Sequence, residues 1–327
     1  MGRVLIRRLL QSIPVFFAIT MITFGLIHAV PGGPTARLEL DPDIKPEDIA
    51  RIRANMGLDK PVWLQYLIWV GLAEGGEGRR SGLLQGDLGI SYIDQTPVGR
   101  SIVDRLPNTL LLTATSLVLS LLVAVPLGVI SAIRRNSWVD NVATVASTAG
   151  VSIPSFWFGL VAILVFSVRL RWLPSGGMYT LGQERNVLDL ARHLILPVAI
   201  LSILNVAGWN RYVRGSMLEV IRQDYIRTAR AKGLKECCVI VRHGLRNALV
   251  PVTTLMGLSL PGLVGGALVT ETIFGWPGMG RLAYHAATKR DYPVIMGVLV
   301  MSAVLVLVGN LLADLSYALL DPRVKAE

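Results

Sequence analysis

The chain has 327 residues, of which 52% are apolar and 17% are charged, and its mean hydropathy is +0.55. A soluble domain carries about 25% charged residues. Here several windows of about twenty residues, the length that crosses a bilayer, contain no Asp, Glu, Lys or Arg. This composition excludes an ordinary soluble protein and predicts an all-α integral membrane protein. The net charge of +10 does not indicate a nucleic acid partner, because the cations cluster beside apolar stretches, as topology signals do.

The first apolar stretch, residues 9–30, follows the basic sequence MGRVLIRR and ends at VPGGPT. It is longer than the apolar core of a cleaved signal peptide, so it predicts a retained anchor whose N-terminus is cytoplasmic. Residues 1–30 are therefore assigned to a cytoplasmic N-terminus and first transmembrane helix, and 31–105 to a large extracytoplasmic segment. Within that segment PEDIARIRANMGL predicts a helix. The aromatic-rich WLQYLIWVGL is too short to span the bilayer and is predicted to lie at the membrane interface.

Five further apolar stretches follow, at about 107–133, 141–168, 193–210, 247–270 and 292–313. Basic residues after the second and fourth stretches, and in the tail DPRVKAE, place those ends in the cytoplasm. The pattern predicts six transmembrane helices with both termini cytoplasmic, in a multi-pass protein of the cell (inner) membrane. Residues 106–327 form the predicted membrane core.

A basic loop at about 215–247 interrupts this core between the fourth and fifth stretches. It predicts two short helices, one through TARAK and one over about 235–247, with Gly233 between them because glycine readily takes a positive φ. The composition fits both a lipid-facing loop that obeys the positive-inside rule and a docking surface for a protein. The adjacent Cys237 and Cys238 and the scattered histidines predict no metal site.

This loop resembles the cytoplasmic coupling loop of permease subunits in ATP-binding-cassette (ABC) importers, whose pattern is Glu-Ala-Ala, three residues, then Gly. Arg227, Thr228, Ala229 and Gly233 stand at these positions, with Arg227 in place of the Glu. YIRTARAKGL followed by LRNALVP is similar to the form found in the dipeptide, oligopeptide and nickel branch. The resemblance extends through VPGGPT, GDLGISY, RLPNTLLL, SIPSFWFGL, ETIFGWPGMGRL and NLLADLSYALLDPR.

The resemblance implies a type I ABC importer permease that forms half of a translocation pathway for di- and oligopeptides in the lipid bilayer. It implies a second homologous permease subunit, two ATP-binding subunits and an extracytoplasmic substrate-binding protein as partners. The residues implied to couple to the ATPase are Asp224, Tyr225, Arg227, Thr228, Ala229, Arg230, Ala231, Lys232, Gly233 and Leu234.

The sequence contains no Gly-rich phosphate loop ending in Lys-Ser or Lys-Thr. We therefore expect no catalytic residue and no cofactor in this chain, and ATP with Mg in the partner ATPase subunits. The same machinery carrying nickel, glutathione or oligosaccharide is an alternative. A single-chain secondary transporter is the alternative of another class, and it would require ionisable groups inside the spans, which are nearly absent.

Polar, small or helix-bending residues inside apolar stretches are candidates for the pathway or its gate, although each also fits simple helix packing. The candidates are Ser152, Ser155, Asn205, Thr253, Gly257, Ser259, Pro261 and Glu271. Glu271 opens ETIFGWPGMGRL, whose prolines and glycines predict a tight re-entrant turn capping the pathway on the outer side. Asp314, near the end of the sixth stretch, is predicted to form an ion pair with Arg211 or Arg214, because an unpaired charge there is costly.

Overall fold

The computed structural model describes residues 2–29, 45, 47, 58–74, 81–184, 186–249, 252 and 267–320, with side chains for all of these except 2–5, 151 and 312–320. The secondary-structure elements within these ranges are helices. Among the described residues, an isolated antiparallel β-bridge joins Ile90 and Pro97. The predicted all-α class is confirmed for this part of the chain. The helix predicted in PEDIARIRANMGL and the predicted span 247–270 lie largely outside the described residues.

The described helices follow one another along the chain, with one 3₁₀ turn at Leu83–Gln85 between α2 and α3. They are α1 (Gly2–His28), α2 (Val62–Val70), α3 (Val98–Ile133), α4 (Trp138–Ser152), α5 (Ser155–Ala162, continued by a π-helical stretch Ile163–Arg169), α6 (Val187–Val220), α7 (Asp224–Ala231), α8 (Glu236–Cys238, continued by a π-helical stretch Val239–Leu245), α9 (Leu268–Ile273), α10 (Met279–Lys289) and α11 (Tyr292–Leu320).

Several of these helices are long and apolar enough to cross a membrane. Among the described residues four qualify alone: Ile6–His28 within α1, Val98–Ile133, Val187–Val220, and Tyr292–Leu311 within α11. The pair formed by α4 and α5, bent by 100° at its break, passes the same test when taken together, and the number becomes five if this pair is counted as one span. Four of the predicted spans therefore correspond to continuous helices.

The predicted third span, 141–168, is interrupted in the structure. α4 ends at Ser152, and both Ile153 (φ −88°, ψ 129°) and Pro154 (φ −60°, ψ 135°) are extended before α5 begins. Proline lacks an N–H and disfavours the helical conformation in the residue before it, so the sequence SIPSF breaks the helix at this point. The segment is thus two helices rather than one straight rod.

The chain divides into two compact units. The first comprises Met1–Leu5, Asn108–Arg281 and Val306–Glu327, and the second comprises Ile6–Pro107 and Leu282–Leu305.

In the first unit, α6 is the helix against which others pack. Both α4 and α5 contact it, and its buried residues Trp209, Val213 and Met217 form a hydrophobic cluster with Ile240 from the stretch that follows α8. α3 approaches it closely, since a Cβ added at Gly128 would lie 2.7 Å from the Cβ of Val213. Small residues permit such close helix packing, which contributes dispersion energy where apolar burial in lipid does not.

In the second unit, aromatic side chains join α1, α2 and the start of α11. The buried and half-buried members of this cluster are Phe24, Ile27, Tyr66, Trp69, Tyr92, Tyr292, Ile295 and Met296. His28, at the end of α1, is hydrogen-bonded through Nε2 to Oε1 of Gln65 on α2 at 2.9 Å. The aromatic-rich stretch WLQYLIWVGL forms most of α2, which packs one face on this cluster and leaves Trp63 exposed.

A buried carboxylate, Asp291, ties the segment before α3 to the start of α11. It accepts hydrogen bonds from the hydroxyl of Ser91 and from the backbone N–H of Tyr92. The Ser91 hydroxyl oxygen in turn accepts from the backbone N–H groups of Ile93 and Asp94. Burial, with a further contribution from the Asp291 charge, raises the pKa of Tyr92 to about 12, so this phenol stays neutral at ordinary pH.

We expect Asp291→Ala to lower the free energy of unfolding by about 2 kcal/mol, because it leaves a buried hydroxyl and a buried N–H without their acceptor. Asp291→Asn keeps one acceptor oxygen and should cost about 1 kcal/mol. The midpoint of thermal aggregation in mild detergent should therefore fall in the order wild type, Asn, Ala. The exposed neighbour Asp94→Ala serves as the control, and equal midpoints for Asp291→Ala and wild type would contradict this assignment.

Candidate functional site

The basic loop is built from the end of α6, the short helix α7 and the start of α8. After α6 ends at Val220, a tight turn in which the N–H of Gln223 donates to the carbonyl of Val220 (3.1 Å) leads directly into α7. Asp224 lies in the first turn of α7, where its charge is favourable to the helix dipole. Both helices predicted in this loop are therefore present.

The inner face of α7 is apolar and buried within the same chain. Ile226 is 1% exposed and Ala229 is 7% exposed, and both pack on Val239, with Val220 alongside. Ile226 and Ala229 are three residues apart and so share one helix face. This contact attaches α7 to the last residue of α6 and to the π-helical stretch after α8.

The outer face of α7 and the turn after it are open to solvent. The exposed members of the predicted coupling set are Asp224, Tyr225, Arg227, Thr228, Arg230, Ala231, Lys232, Gly233 and Leu234. One member of the predicted set, Ala229, is buried and packs against its own chain. Ile226, which packs beside it on the inner face of α7, was not predicted from the sequence. Its apolar side chain at helical spacing from Ala229 was the available signal.

Two ion pairs lie on this surface. The Arg230 guanidinium donates to both oxygens of Glu236, at 2.6 and 3.2 Å, and so joins α7 to α8. These hydrogen bonds lower the pKa of Glu236 and raise that of Arg230, so both are charged at neutral pH. Arg227 lies 3.5 Å from Asp224 on the same helix. Lys232 forms no ion pair with any described residue. The outer face of α7 and the turn after it therefore carry a net positive charge.

Gly233 ends α7 in the left-handed conformation, with φ of 74°. Its N–H donates to the carbonyl of Arg230 (2.9 Å), and the N–H of Lys232 donates to that of Thr228 (3.1 Å). No atom lies within 4 Å of the position where a Cβ would be. The prediction that Gly233 breaks the helix is confirmed, and the requirement for glycine there is conformational rather than steric.

A second site surrounds Glu271, which is 0% exposed. Its carboxylate accepts hydrogen bonds from the hydroxyl of Thr109 (2.6 Å) and from the backbone N–H of Arg281 (3.0 Å), and the N–H of Gly280 also donates to it. The Thr109 oxygen at the same time accepts from the backbone N–H of Met279 (2.7 Å). One carboxylate thus organises the turn between α9 and α10 and holds it on α3.

Further contacts close this turn. The Trp276 indole N–H donates to the carbonyl of Asn108 (3.0 Å), and the Asn108 amide donates to the carbonyl of Pro277 (2.9 Å). A Cβ at Gly278 would overlap the Glu271 carboxylate. The predicted tight turn in ETIFGWPGMGRL is confirmed, and within the described chain the Glu271 side chain is occupied by this turn. Its role at the pathway or gate stays a prediction.

No hydrogen bond joins the other described gate candidates, Ser152, Ser155 and Asn205, to one another. Ser152 donates back to the carbonyl of Thr148 on its own helix (2.9 Å), while Ser155 and Asn205 are half-buried. Thr253, Gly257, Ser259 and Pro261 lie outside the described residues. In the part of the chain that the structure describes, no group of three or more His, Cys, Asp or Glu side chains is placed to hold a metal ion.

Arg214 has a partner that the sequence did not indicate. Its Nε and Nη2 donate to the two oxygens of Asp140, at 2.6 and 2.8 Å, and the backbone N–H of Asn136 donates to the same carboxylate at 2.9 Å. Asp140 is 2% exposed. Arg211 is exposed, and the Asp314 side chain lies outside the described residues, so a pair involving Asp314 stays a prediction.

Comparison with known proteins decides the family. Residues 124–326 match the family described as binding-protein-dependent transport system inner membrane component, and residues 1–113 match the N-terminal part of such membrane components. The chain belongs to this family. The permease is therefore a multi-pass protein of the inner membrane, and the resemblance seen in its sequence is confirmed.

Full-length relatives support this assignment. The permease is 48% identical over 326 residues to the oligopeptide transport system permease protein AppB of Bacillus subtilis, covering 99% of this chain and 100% of that one. It is 38% identical over 344 residues to the dipeptide transport system permease protein DppB of Escherichia coli, covering 98% of each. It is also 38% identical over 320 residues to the Escherichia coli glutathione transport system permease protein GsiC, again covering 98% of each.

A solved structure of the MetNI methionine ABC transporter, in an inward-facing conformation, contains a similar chain. The TM-score is 0.52 at 19% identity, and the match covers 67% of the permease and 96% of that chain. At this identity the likeness shows the fold alone. The permease has the all-helical fold of a type I ABC importer permease.

Proposed function

We propose that the permease forms half of the translocation pathway of an ATP-driven importer of di- and oligopeptides. The observation that carries this proposal is the similarity along the whole chain to proteins named as oligopeptide and dipeptide permeases. Glutathione is itself a small peptide, so the relative named for it fits the same class of cargo. These relatives do not favour nickel or oligosaccharide.

The assembly proposed for this function contains a second homologous permease subunit, two ATP-binding subunits and an extracytoplasmic substrate-binding protein. The permease contributes six transmembrane helices with both termini cytoplasmic and the extracytoplasmic segment after the first helix. ATP and Mg act in the ATPase subunits, and this chain supplies no catalytic residue. Its part is to bind the partners, line half of the pathway and change conformation with them.

The coupling loop supplies the mechanical connection in this proposal. The outer face of α7 docks on an ATPase subunit, and its inner face, through Ile226 and Ala229, is fixed to Val220 at the end of α6. When the ATPase subunits close on ATP, α7 moves with them and carries α6 along. If only exposed polar residues joined α7 to α6, α7 would move without moving α6. The buried apolar contact of its inner face with Val220 prevents this.

Co-purification tests the proposed function. The tagged permease is extracted in mild detergent, the proteins that accompany it are identified, and ATP hydrolysis is measured with and without the binding protein and peptides. We expect a second permease and ATPase subunits, and stimulation of hydrolysis by peptide-loaded binding protein. A permease that purifies alone, hydrolyses no ATP and still moves solute into vesicles would instead be a secondary transporter.

Substitution of Gly233 tests the coupling loop directly. In Gly233→Val, the left-handed backbone conformation at position 233 should be less favourable by about 1–2 kcal/mol. If docking on the ATPase subunit requires this conformation, the association should weaken about tenfold. Gly233→Asn should lie closer to wild type, because asparagine tolerates this conformation. Gly233→Pro should lose the ATPase subunit, since it cannot adopt a positive φ.

The matched control for these variants is Gly215→Val in α6, where the glycine has no positive φ and no atom lies within 4 Å of the added Cβ. The amount of ATPase subunit retained per permease is the readout. If all three Gly233 variants retain as much as Gly215→Val does, this turn does not present the docking surface.

A further inference from the structure

Three contacts fix α4 along one face of α6. From the middle of α6 towards its end they are Gly150 against Ala207, Ser147 with Asn210, and Asp140 with Arg214. The three α6 positions are three and four residues apart and therefore share one helix face. The first contact is close packing, with 3.4 Å from an added Cβ to the Cβ of Ala207. The second is a hydrogen bond of 3.0 Å between the Asn210 amide and the Ser147 hydroxyl.

The last contact differs from the other two in its chemistry. A guanidinium that donates from two nitrogens to the two oxygens of one carboxylate fixes direction as well as distance. Asp140 is held on its other side by the N–H of Asn136, in the turn that precedes α4, and its own N–H donates to the Ser137 hydroxyl that caps the helix. Packed apolar surfaces slide past one another more readily than such a pair. The pair therefore resists both rotation and translation of α6 against the beginning of α4.

The position of Arg214 connects this pair to the coupling loop. It lies about two turns before the end of α6, and the helix is continuous from there to Val220. Val220 packs on Ile226 and Ala229 of α7. Movement of α7 thus reaches Arg214 through an unbroken helix, and it reaches Asp140 through the bidentate ion pair.

We propose that the Arg214–Asp140 ion pair is a positioning element that makes α4 follow α6 when the coupling loop moves. This inference rests on the proposed function, in which an ATPase moves α7. Without the pair, α6 moves against α4, and ATP is hydrolysed without the rearrangement that passes substrate through the membrane. The Asn210–Ser147 and Ala207–Gly150 contacts remain in that case, so the helices still assemble.

The test uses the complete transporter in liposomes, with binding protein and a labelled dipeptide, and measures peptide transported per ATP hydrolysed. Arg214→Lys keeps the charge but loses the two-nitrogen geometry, and Asp140→Glu keeps the charge but displaces the carboxylate by one methylene. We expect each to lower the ratio by about tenfold, with ATP hydrolysis per assembled complex retained. Arg134→Gln, an exposed arginine in the turn before α4, is the control and should leave the ratio unchanged.

The inference is overturned if both variants keep the wild-type ratio of peptide transported to ATP hydrolysed. It is also overturned if transport and hydrolysis fall together in proportion to the amount of assembled complex, because a purely structural role predicts that result. Failure of the proposed function looks different. In that case the wild-type preparation itself contains no ATPase subunit or transports no peptide, whatever the state of the ion pair.

Discussion

Gly280→Val is expected to prevent the permease from folding into a stable complex. A Cβ at this position would lie 2.5 Å from the Cα and 2.9 Å from the backbone nitrogen of Leu268, so the obstacle is backbone of α9 rather than a side chain that can rotate away. Overpacking of this kind costs about 3 kcal/mol or more when the backbone has to move. The shift would also separate the N–H of Gly280 from the Glu271 carboxylate.

The yield of monodisperse permease in mild detergent, and its thermal aggregation midpoint, measure this effect. Gly215→Val in α6 makes the same chemical change where no atom lies within 4 Å, and it should be tolerated. Gly280→Ala should already be strongly destabilising, since the first added carbon makes the collision. A Gly280→Val permease with the yield and midpoint of Gly215→Val would show that α9 and the start of α10 are not packed as described.

Removal of the buried Glu271 carboxylate is expected to have a similarly large effect. Glu271→Leu leaves the Thr109 hydroxyl and the N–H groups of Gly280 and Arg281 without their acceptor, and should cost about 3–5 kcal/mol as a broken buried network does. Glu271→Gln keeps one acceptor oxygen but turns an amide N–H₂ towards donors, and should cost about 1–3 kcal/mol. Thr109→Val should fall in the same range as Glu271→Gln.

Because Thr109 and Glu271 share one hydrogen bond, their effects should not be additive. The double variant Thr109→Val, Glu271→Gln should be less destabilised than the sum of the single variants by about 1 kcal/mol. Thr115→Val is the matched control, because the Thr115 hydroxyl bonds only to carbonyls of its own helix among the described residues. Thermal aggregation midpoints of the purified complex report all four.

The same variants separate the structural role of Glu271 from the gate role predicted for it. If Glu271→Gln lowers transport only as far as it lowers the amount of folded complex, the carboxylate serves the turn. A Glu271→Gln transporter of wild-type stability that no longer carries peptide would point instead to the pathway.

The contacts seen in the structure go furthest beyond the predictions from the sequence at the ionisable residues within the helical core. The partner of Arg214 is Asp140, 74 residues away, and nothing in the sequence ranks it above Asp314 as a partner. Likewise, Glu271 follows an apolar stretch just as a pathway residue would. Its complete burial under a turn that also engages Thr109 depends on where α3 lies. Helix periodicity does not encode which faces of distant helices meet.

The membrane class, four of the long helices, the turn at Gly233 and the family could all be predicted from the sequence. Each of these follows from short stretches of sequence. The apolar length shows which segments can cross a bilayer, and glycine readily takes the positive φ of the turn. The order of the short motifs along the chain indicates the family. The interruption at Pro154 was not predicted, although proline disfavours the helical conformation in the residue before it. Pro14 and Pro197 lie inside continuous helices, so the presence of a proline does not by itself show where a helix breaks. The partners of the buried charges and the direction of each face of α7 became known from the folded structure. Those depend on the rotation and order of helices in space, which are set by packing between segments far apart in the chain.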